Sequence, residues 1–325
     1  MDKIAFWVGN NTIYWSSIIT TLAALVAACF FLSLYIRKND AYAAGFVAVP
    51  VSLVLSVVLS RLIHWYCRAD SYESFSTAMT NLADGGYALL GVFAGCFLTA
   101  VLLRLVKLHR NLPGMLDCMS VAGAAGIAVG RLACFFNAND RGQVLEKLKF
   151  LPFAYPVTNT VSGAVEYRLA TFLFQSLVAL VTFLVLYRFC RKDRKDGDTT
   201  LMFLLVYGAS QVVWDSTRYD KLFFRSNGFV SMVQVLGALG LAVTIGVYAT
   251  RMVKKQGFRV WYLLIWLGLL AMISGAGFME YYVQRHGNLG LFCYSVMSLC
   301  LAGVIGLTLL MWHMARKPAS VRSRS

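Results

Sequence analysis

Long apolar runs, broken only by short polar stretches, set the plan of this chain. They fall near residues 13–35, 45–66, 86–106, 115–136, 168–188, 200–217, 229–250, 260–278 and 290–313. Most reach or approach the ~20 residues that a helix needs to cross a hydrocarbon layer. Inside a bilayer each backbone N–H and C=O must find its partner within the segment, so runs of this kind predict helices. The pattern therefore predicts an all-α polytopic membrane protein with about nine transmembrane helices. The first run, Ile13 to Leu34, is longer than a signal h-region and has no small-residue cleavage pattern. It is read as a retained span.

Polar residues that interrupt this pattern are the candidates for chemistry. A run of small apolar residues, Met119 to Val129, leads into Gly130-Arg131-Leu132-Ala133-Cys134-Phe135-Phe136-Asn137-Ala138-Asn139-Asp140-Arg141-Gly142. A cation such as Arg131 in a span costs roughly 2.5–3.5 kcal/mol on insertion scales, so it calls for a partner, a ligand or a route to the headgroups. Ahead of the third span stands Asp84-Gly85-Gly86. Asp84 suits an N-cap, and the glycines let a backbone approach closely, which predicts an anion site at the helix start. In the sixth span Gln211, Asp215 and Arg218 are spaced i, i+4 and i+7, on one helical face, with Asp215 and Arg218 able to pair. Such a stripe points into a bundle or a wet cavity. Arg61 and His64 add a polar pair at the outer end of the second span. The segment 141–167, with Lys147, Lys149 and two prolines, is either a small head over the membrane or a connector.

Composition agrees with the pattern. Hydrophobic residues make up 59% and charged residues 14%, against about 25% charged in soluble domains. The net charge of +15 reflects 30 Lys and Arg, and its placement identifies its cause. Arg37 and Lys38 follow the first span, Arg104, Lys107 and Arg110 the third, and Arg188, Arg191, Lys192, Arg194 and Lys195 the fifth. Arg251, Lys254, Lys255 and Arg259 follow the seventh, and Arg316, Lys317, Arg322 and Arg324 close the chain. This alternation is the positive-inside signature, with the N-terminus outside and the C-terminus in the cytoplasm. The basic excess is a topology signal rather than a nucleic-acid surface. The eight cysteines are scattered without CxxC or metal spacing, so neither a structural disulfide nor a metal site is expected, and no cofactor is called for. No Walker loop, HExxH or Ser-His-Asp order occurs, and no internal repeat suggests a two-halved transporter. The topology gathers Arg61, Arg131 and Arg218 on the outer side. Guanidinium forks match phosphate oxygens bidentately, and the phosphate found beside a bilayer is a phospholipid headgroup.

With these residues assembled, the chain resembles the prolipoprotein diacylglyceryl transferases over about residues 13–250. The family signature Gly-Arg-x-Gly-Asn-Phe-x-Asn-x-Glu followed by Gly is matched at Gly130, Arg131, Phe135, Asn137 and Gly142. Its Asp-Gly-Gly is similar to Asp84-Gly85-Gly86, its sixth-span motif to Tyr207-Gly208 through Gln211, Asp215 and Arg218, and its Ser-x-Gly-Gln to Ser231-Met232-Val233-Gln234. The chain departs from the family at Cys134 for Asn, Asn139 for Glu, Leu90 for His, Gln211 for Arg and Trp15 for Tyr. The motif before the fifth span survives only as Tyr155-Pro156.

The resemblance implies a seven-helix core over 1–255, with the outer segment 141–167, followed by two further helices and a basic tail over 256–325. It implies a bacterial plasma-membrane enzyme that moves the diacylglyceryl group of phosphatidylglycerol to the lipobox cysteine of a precursor protein. Arg131, Asn137 and Arg218 would then serve the reaction. Arg61, Asp84, Gly85, Gly86, Asn139, Gln211 and Asp215 would bind substrate. Alternatives are a related enzyme for another phospholipid or acceptor, with His64 or Asp140 as base, a non-catalytic lipid-binding protein, and a channel or transporter.

Overall fold

A computed structural model describes residues 4–9, 11–38, 42–81, 85–136, 141–145, 150–158, 163–192, 194–225, 227–287 and 289–316. Each of the nine expected runs holds a long helix. These are α1 (Trp15–Lys38), α2 (Tyr42–Cys67), α4 (Leu89–Leu105), α5 (Leu112–Gly130), α6 (Thr171–Cys190), α7 (Asp198–Ser216), α8 (Met232–Gln256), α9 (Tyr262–His286) and α10 (Gly290–Arg316). A short helix, α3 (Phe75–Thr80), lies between α2 and α4. Seven helices are long and apolar enough to cross a membrane; α4 is apolar but shorter, and α7 carries the polar stripe. The protein is an all-α, multi-pass membrane protein.

Segments outside the long helices contain structure that the apolar pattern did not announce. Three antiparallel strand pairs occur among the described residues: β1 (Ile4–Val8) with β2 (Asn11–Tyr14), β3 (Ala154–Thr158) with β4 (Val165–Leu169), and β5 (Phe223–Phe224) with β6 (Asn227–Ser231). The described residues of the segment 141–167 thus include strand pairing between β3 and β4, which a bare connector would not need.

The chain divides into two compact units, Met1–Phe203 with Thr217–Val233, and Leu204–Ser216 with Gln234–Ser325. In the first, lipid tails are as apolar as leucine, so helices associate where small side chains let backbones meet. The α2–α4 crossing does this through Ser56 and Ser60 against Gly91 and Gly95. A methyl group on Gly91 would collide with the Ser60 backbone, and one on Gly95 would lie 2.6 Å from Ser56 N. The α1–α5 contact repeats the device, with Ala23 and Ala27 against Gly126 and Gly130. Gly91→Val is accordingly expected to cost ~3 kcal/mol or more, read as a lowered Tm in detergent; an unchanged Tm would show that this crossing can open without cost.

At the opposite end of α5, the buried Asp117 carboxylate accepts from Gly197 N (2.8 Å), Thr200 N (2.7 Å) and Thr200 Oγ1 (2.8 Å). It caps the start of α7 and satisfies N–H groups that a helix leaves open. In the second unit Gly208 and Gly237 bring α7 and α8 into backbone contact: a Cβ on Gly237 would lie 2.9 Å from Gly208 O. Gly275 and Gly303 make room between α9 and α10 for the side chains of Cys300 and Met272, whose sulfurs would lie 3.2 Å from an added Cβ.

Candidate active site

The site is built from the first unit, around the turn that holds Arg131. Helix α5 ends at Gly130 and tightens into a 3-10 turn, Arg131–Phe135. Arg131 stands at the C-cap, 9% exposed, where the negative end of the helix dipole favours a cation. Tyr155 of β3 donates its hydroxyl to Phe135 O at 2.9 Å. The Phe135 ring meets Tyr155 edge-on at 5.5 Å and Phe172 at 6.2 Å. One hydrogen bond and an aromatic cluster therefore fix the turn. Asn137 and Asn139 lie outside the described residues.

The chain re-enters at Arg141 as an extended piece stitched on both sides. Gly142 N donates to Leu169 O (2.8 Å), Leu169 N to Gln143 O (3.0 Å) and Leu145 N to Tyr167 O (2.7 Å). On the other side Gly142 bridges to Arg218, and Tyr219 N donates to Arg141 O (2.8 Å). The order across this patch is β3, β4, 142–145 and 218–219. Gly142 is required by its neighbours: a Cβ there would lie 2.6 Å from Leu169 Cβ and 2.6 Å from Thr171 Oγ1.

Three arginines collect on the patch. Arg168 holds Glu166 at 2.8 Å and lies over the Tyr219 ring at 4.5 Å. Arg218 holds Asp220 at 3.4 Å. Arg141 is half-buried; burial lowers its pKa from the ordinary value, Tyr155 opposes that shift, Arg168 adds to it and Asp220 opposes it. Among the described residues, two carboxylates against three guanidiniums leave the patch basic.

The structure changes the expected stripe on α7. The helix stops at Ser216, so Arg218 leaves the face of Gln211 and Asp215 and enters the strand patch. Strand bonding wins because Thr217 Oγ1 meets Thr171 Oγ1 (3.1 Å) and the Tyr219 amide is claimed by Arg141 O. Gln211 and Asp215 remain on α7, both buried, in the second unit.

Arg61 has a different surrounding. It is 1% exposed, and its guanidinium donates to Ala78 O, to Asn81 O (2.7 Å) and to Gly86 O (3.3 Å), with the Tyr72 ring 5.0 Å away. His64 Nδ1 meets the Tyr72 hydroxyl at 2.7 Å. Arg61 thus ties the end of α3, at Ala78 and Asn81, and Gly86 to α2. Gly85 and Gly86 have φ of +74° and +78°, which glycine adopts without strain. They precede the start of α4 rather than forming it, since the helix begins at Leu89 with Ala88 at the cap. Asp84 lies outside the described residues. Leu90, at the family's histidine position, is buried.

Sequence reading missed Arg168, Tyr219 and Glu280. Arg168 and Glu166 share one strand face at i, i+2, a signal too short to stand out. Glu280 and Gln284, at i, i+4 in an apolar helix, form a visible polar stripe. Among the described residues no group of three or more His, Cys, Asp or Glu side chains is arranged to hold a metal ion.

The sequence matches known proteins over most of its length. The sequence profile of a family described as prolipoprotein diacylglyceryl transferase matches residues 3–250. A phosphatidylglycerol–prolipoprotein diacylglyceryl transferase of Streptococcus pneumoniae strain JJA is 25% identical over 265 residues, 80% of this chain and 98% of that protein. Its counterpart in strain Hungary19A-6 is 26% identical over 268 residues, again 80% and 98%. Helices α9 and α10 lie beyond the matched region.

Proposed function

The chain belongs to the prolipoprotein diacylglyceryl transferase family, and we propose from that premise that it transfers the diacylglyceryl group of phosphatidylglycerol to the lipobox cysteine of a precursor protein. The observation that carries this reading is the basic patch. Its Arg218 is tied by backbone pairing to the segment that follows the Arg131 turn, on the part of the chain that the family covers.

The reaction explains why arginines are needed. The cysteine sulfur attacks the glycerol carbon that carries the phosphate ester. A C–S bond forms, the C–O bond breaks, and the thiol proton passes to a base. The leaving glycerol phosphate gains a negative charge as the bond breaks. A cation on that phosphate therefore stabilises the transition state more than the ground state. Arg131 and Arg218 take this role, with Asn137 orienting the glycerol or phosphate. In this reading Arg61, Asp84, Gly85, Gly86, Asn139, Gln211 and Asp215 are the substrate-binding residues. The alternation of Lys and Arg supports an outer N-terminus and a cytoplasmic C-terminus, which puts the patch where secreted precursors emerge.

Departures at Leu90, Cys134, Asn139 and Gln211 favour a second reading, a change of donor lipid or acceptor within the same chemistry. One assay tests both. Purified protein in vesicles of labelled phosphatidylglycerol is expected to label a lipobox peptide and to leave its Cys→Ser version unlabelled. Labelling only with another phospholipid or thiol acceptor would move the conclusion to the second reading. Absence of any transfer by folded protein would overturn both.

A further inference from the structure

A polar cluster in the second unit lies outside the site described above, and three of its members, Glu280, Gln284 and Tyr294, come from the helices beyond the family match. Glu280 of α9 is 8% exposed. Its Oε2 accepts from Ser216 Oγ at 2.5 Å, and its Oε1 accepts from Gln234 Nε2 and Gln284 Nε2, each at 2.9 Å. Gln234 also donates to Val212 O (3.2 Å), and Tyr294 of α10 donates to Ser216 O (3.3 Å). An acidic residue in a span is costly unless its acceptors are filled, and here three donors converge on one carboxylate.

The partners matter for where they stand in the chain. Ser216 is the last residue of α7, and Gln234 lies at the start of α8. Between them runs 217–233, the segment that carries Arg218. We infer that Glu280 is a positioning residue: it clamps both ends of the Arg218-bearing segment, so α9 and α10 are a working part of the enzyme and not only a surface for partners. Gln234 lies within the residues that the family covers, and its partner Glu280 is supplied from outside them. The consequence for transfer rests on the proposed function above. The clamp itself does not.

The geometry separates a clamp from a charge effect. A glutamine at 280 keeps a carbonyl for Gln234 and Gln284, and its amide donates to a Ser216 hydroxyl turned to accept. An alanine removes all three bonds. The test compares full-length wild type, Glu280→Ala and Glu280→Gln by hydrogen exchange of the 216–235 amides, and by transfer kinetics. In Glu280→Ala, exchange of residues 216–219 is expected to rise roughly tenfold or more and kcat to fall by a similar factor, with KM for the lipid held. Glu280→Gln is expected to restore both. Unchanged exchange in Glu280→Ala, or a Glu280→Gln variant as fast as the alanine, would overturn the clamp. If Glu280→Ala does not fold, Ser216→Ala and Gln234→Ala each remove one of the three bonds to Glu280 and are read the same way. Should wild type show no transfer while exchange responds as expected, the transferase reading falls and the clamp stands.

Discussion

Arg131→Ala is expected to lower kcat for transfer by roughly 10²–10³-fold or more, the scale of losing a group aimed at developing charge, while the helices stay folded. Arg131 sits at the end of α5 with its charge against the negative pole of the helix. That arrangement is worth about 0.3–1 kcal/mol, which alanine gives up. What it removes from the reaction is larger. The phosphate carries one negative charge in the lipid and approaches two as the C–O bond breaks, so the lost attraction grows along the reaction path. The loss should therefore fall on kcat more than on KM. Arg131→Lys keeps a point charge but not the planar fork and is expected to lie between wild type and alanine. Labelled phosphatidylglycerol, a lipobox peptide and a parallel Tm measurement check this. Full activity in the alanine variant would remove Arg131 from the reaction.

How much of this was legible in the sequence depends on which force shapes each part. The bilayer dictates the helices, since a span that leaves backbone groups unbonded is excluded by several kcal/mol per group. Each of the nine apolar intervals therefore contains its helix. Ends are set by local competition, and there the pattern misled. Periodicity carried the α7 face on to Arg218, whereas contacts from Thr171 and Arg141, far away in sequence, pull Thr217 and Arg218 into strand pairing. The same holds for 141–145. Five residues with two polar groups carry no strand signal by themselves, and their conformation comes from Leu169, Tyr167 and Tyr219. Arg61 was legible as a residue needing partners but not as one whose partners are carbonyls of its own loop. Of the signature, Gly130, Arg131 and Gly142 gain a physical account, while Asn137 and Asn139 lie outside the described residues.

Gly142→Ala is the companion test, because it moves Arg218 without touching a charge. The added methyl would meet Leu169 Cβ and Thr171 Oγ1 at 2.6 Å and Leu169 O at 2.8 Å. Two of these belong to strand β4 itself and cannot rotate away, so the 142–169 pairing must open. Thr171 Oγ1 also meets Thr217 Oγ1, which passes the displacement to the residue before Arg218. A shift near 1 Å at a group that must sit on a reacting phosphate can cost about 10²-fold. Gly142→Ala is therefore expected to lose most transfer activity, with faster amide exchange at 165–169 and 217–219 and an intact helical spectrum. Gly123→Ala supplies the control: it lies on α5, and its Cβ would meet nothing within 4 Å. An alanine there should be neutral or stabilise by about 0.5–1 kcal/mol. If Gly142→Ala transfers as well as Gly123→Ala, the strand patch does not set the position of Arg218, and the site would have to be built on α7 instead.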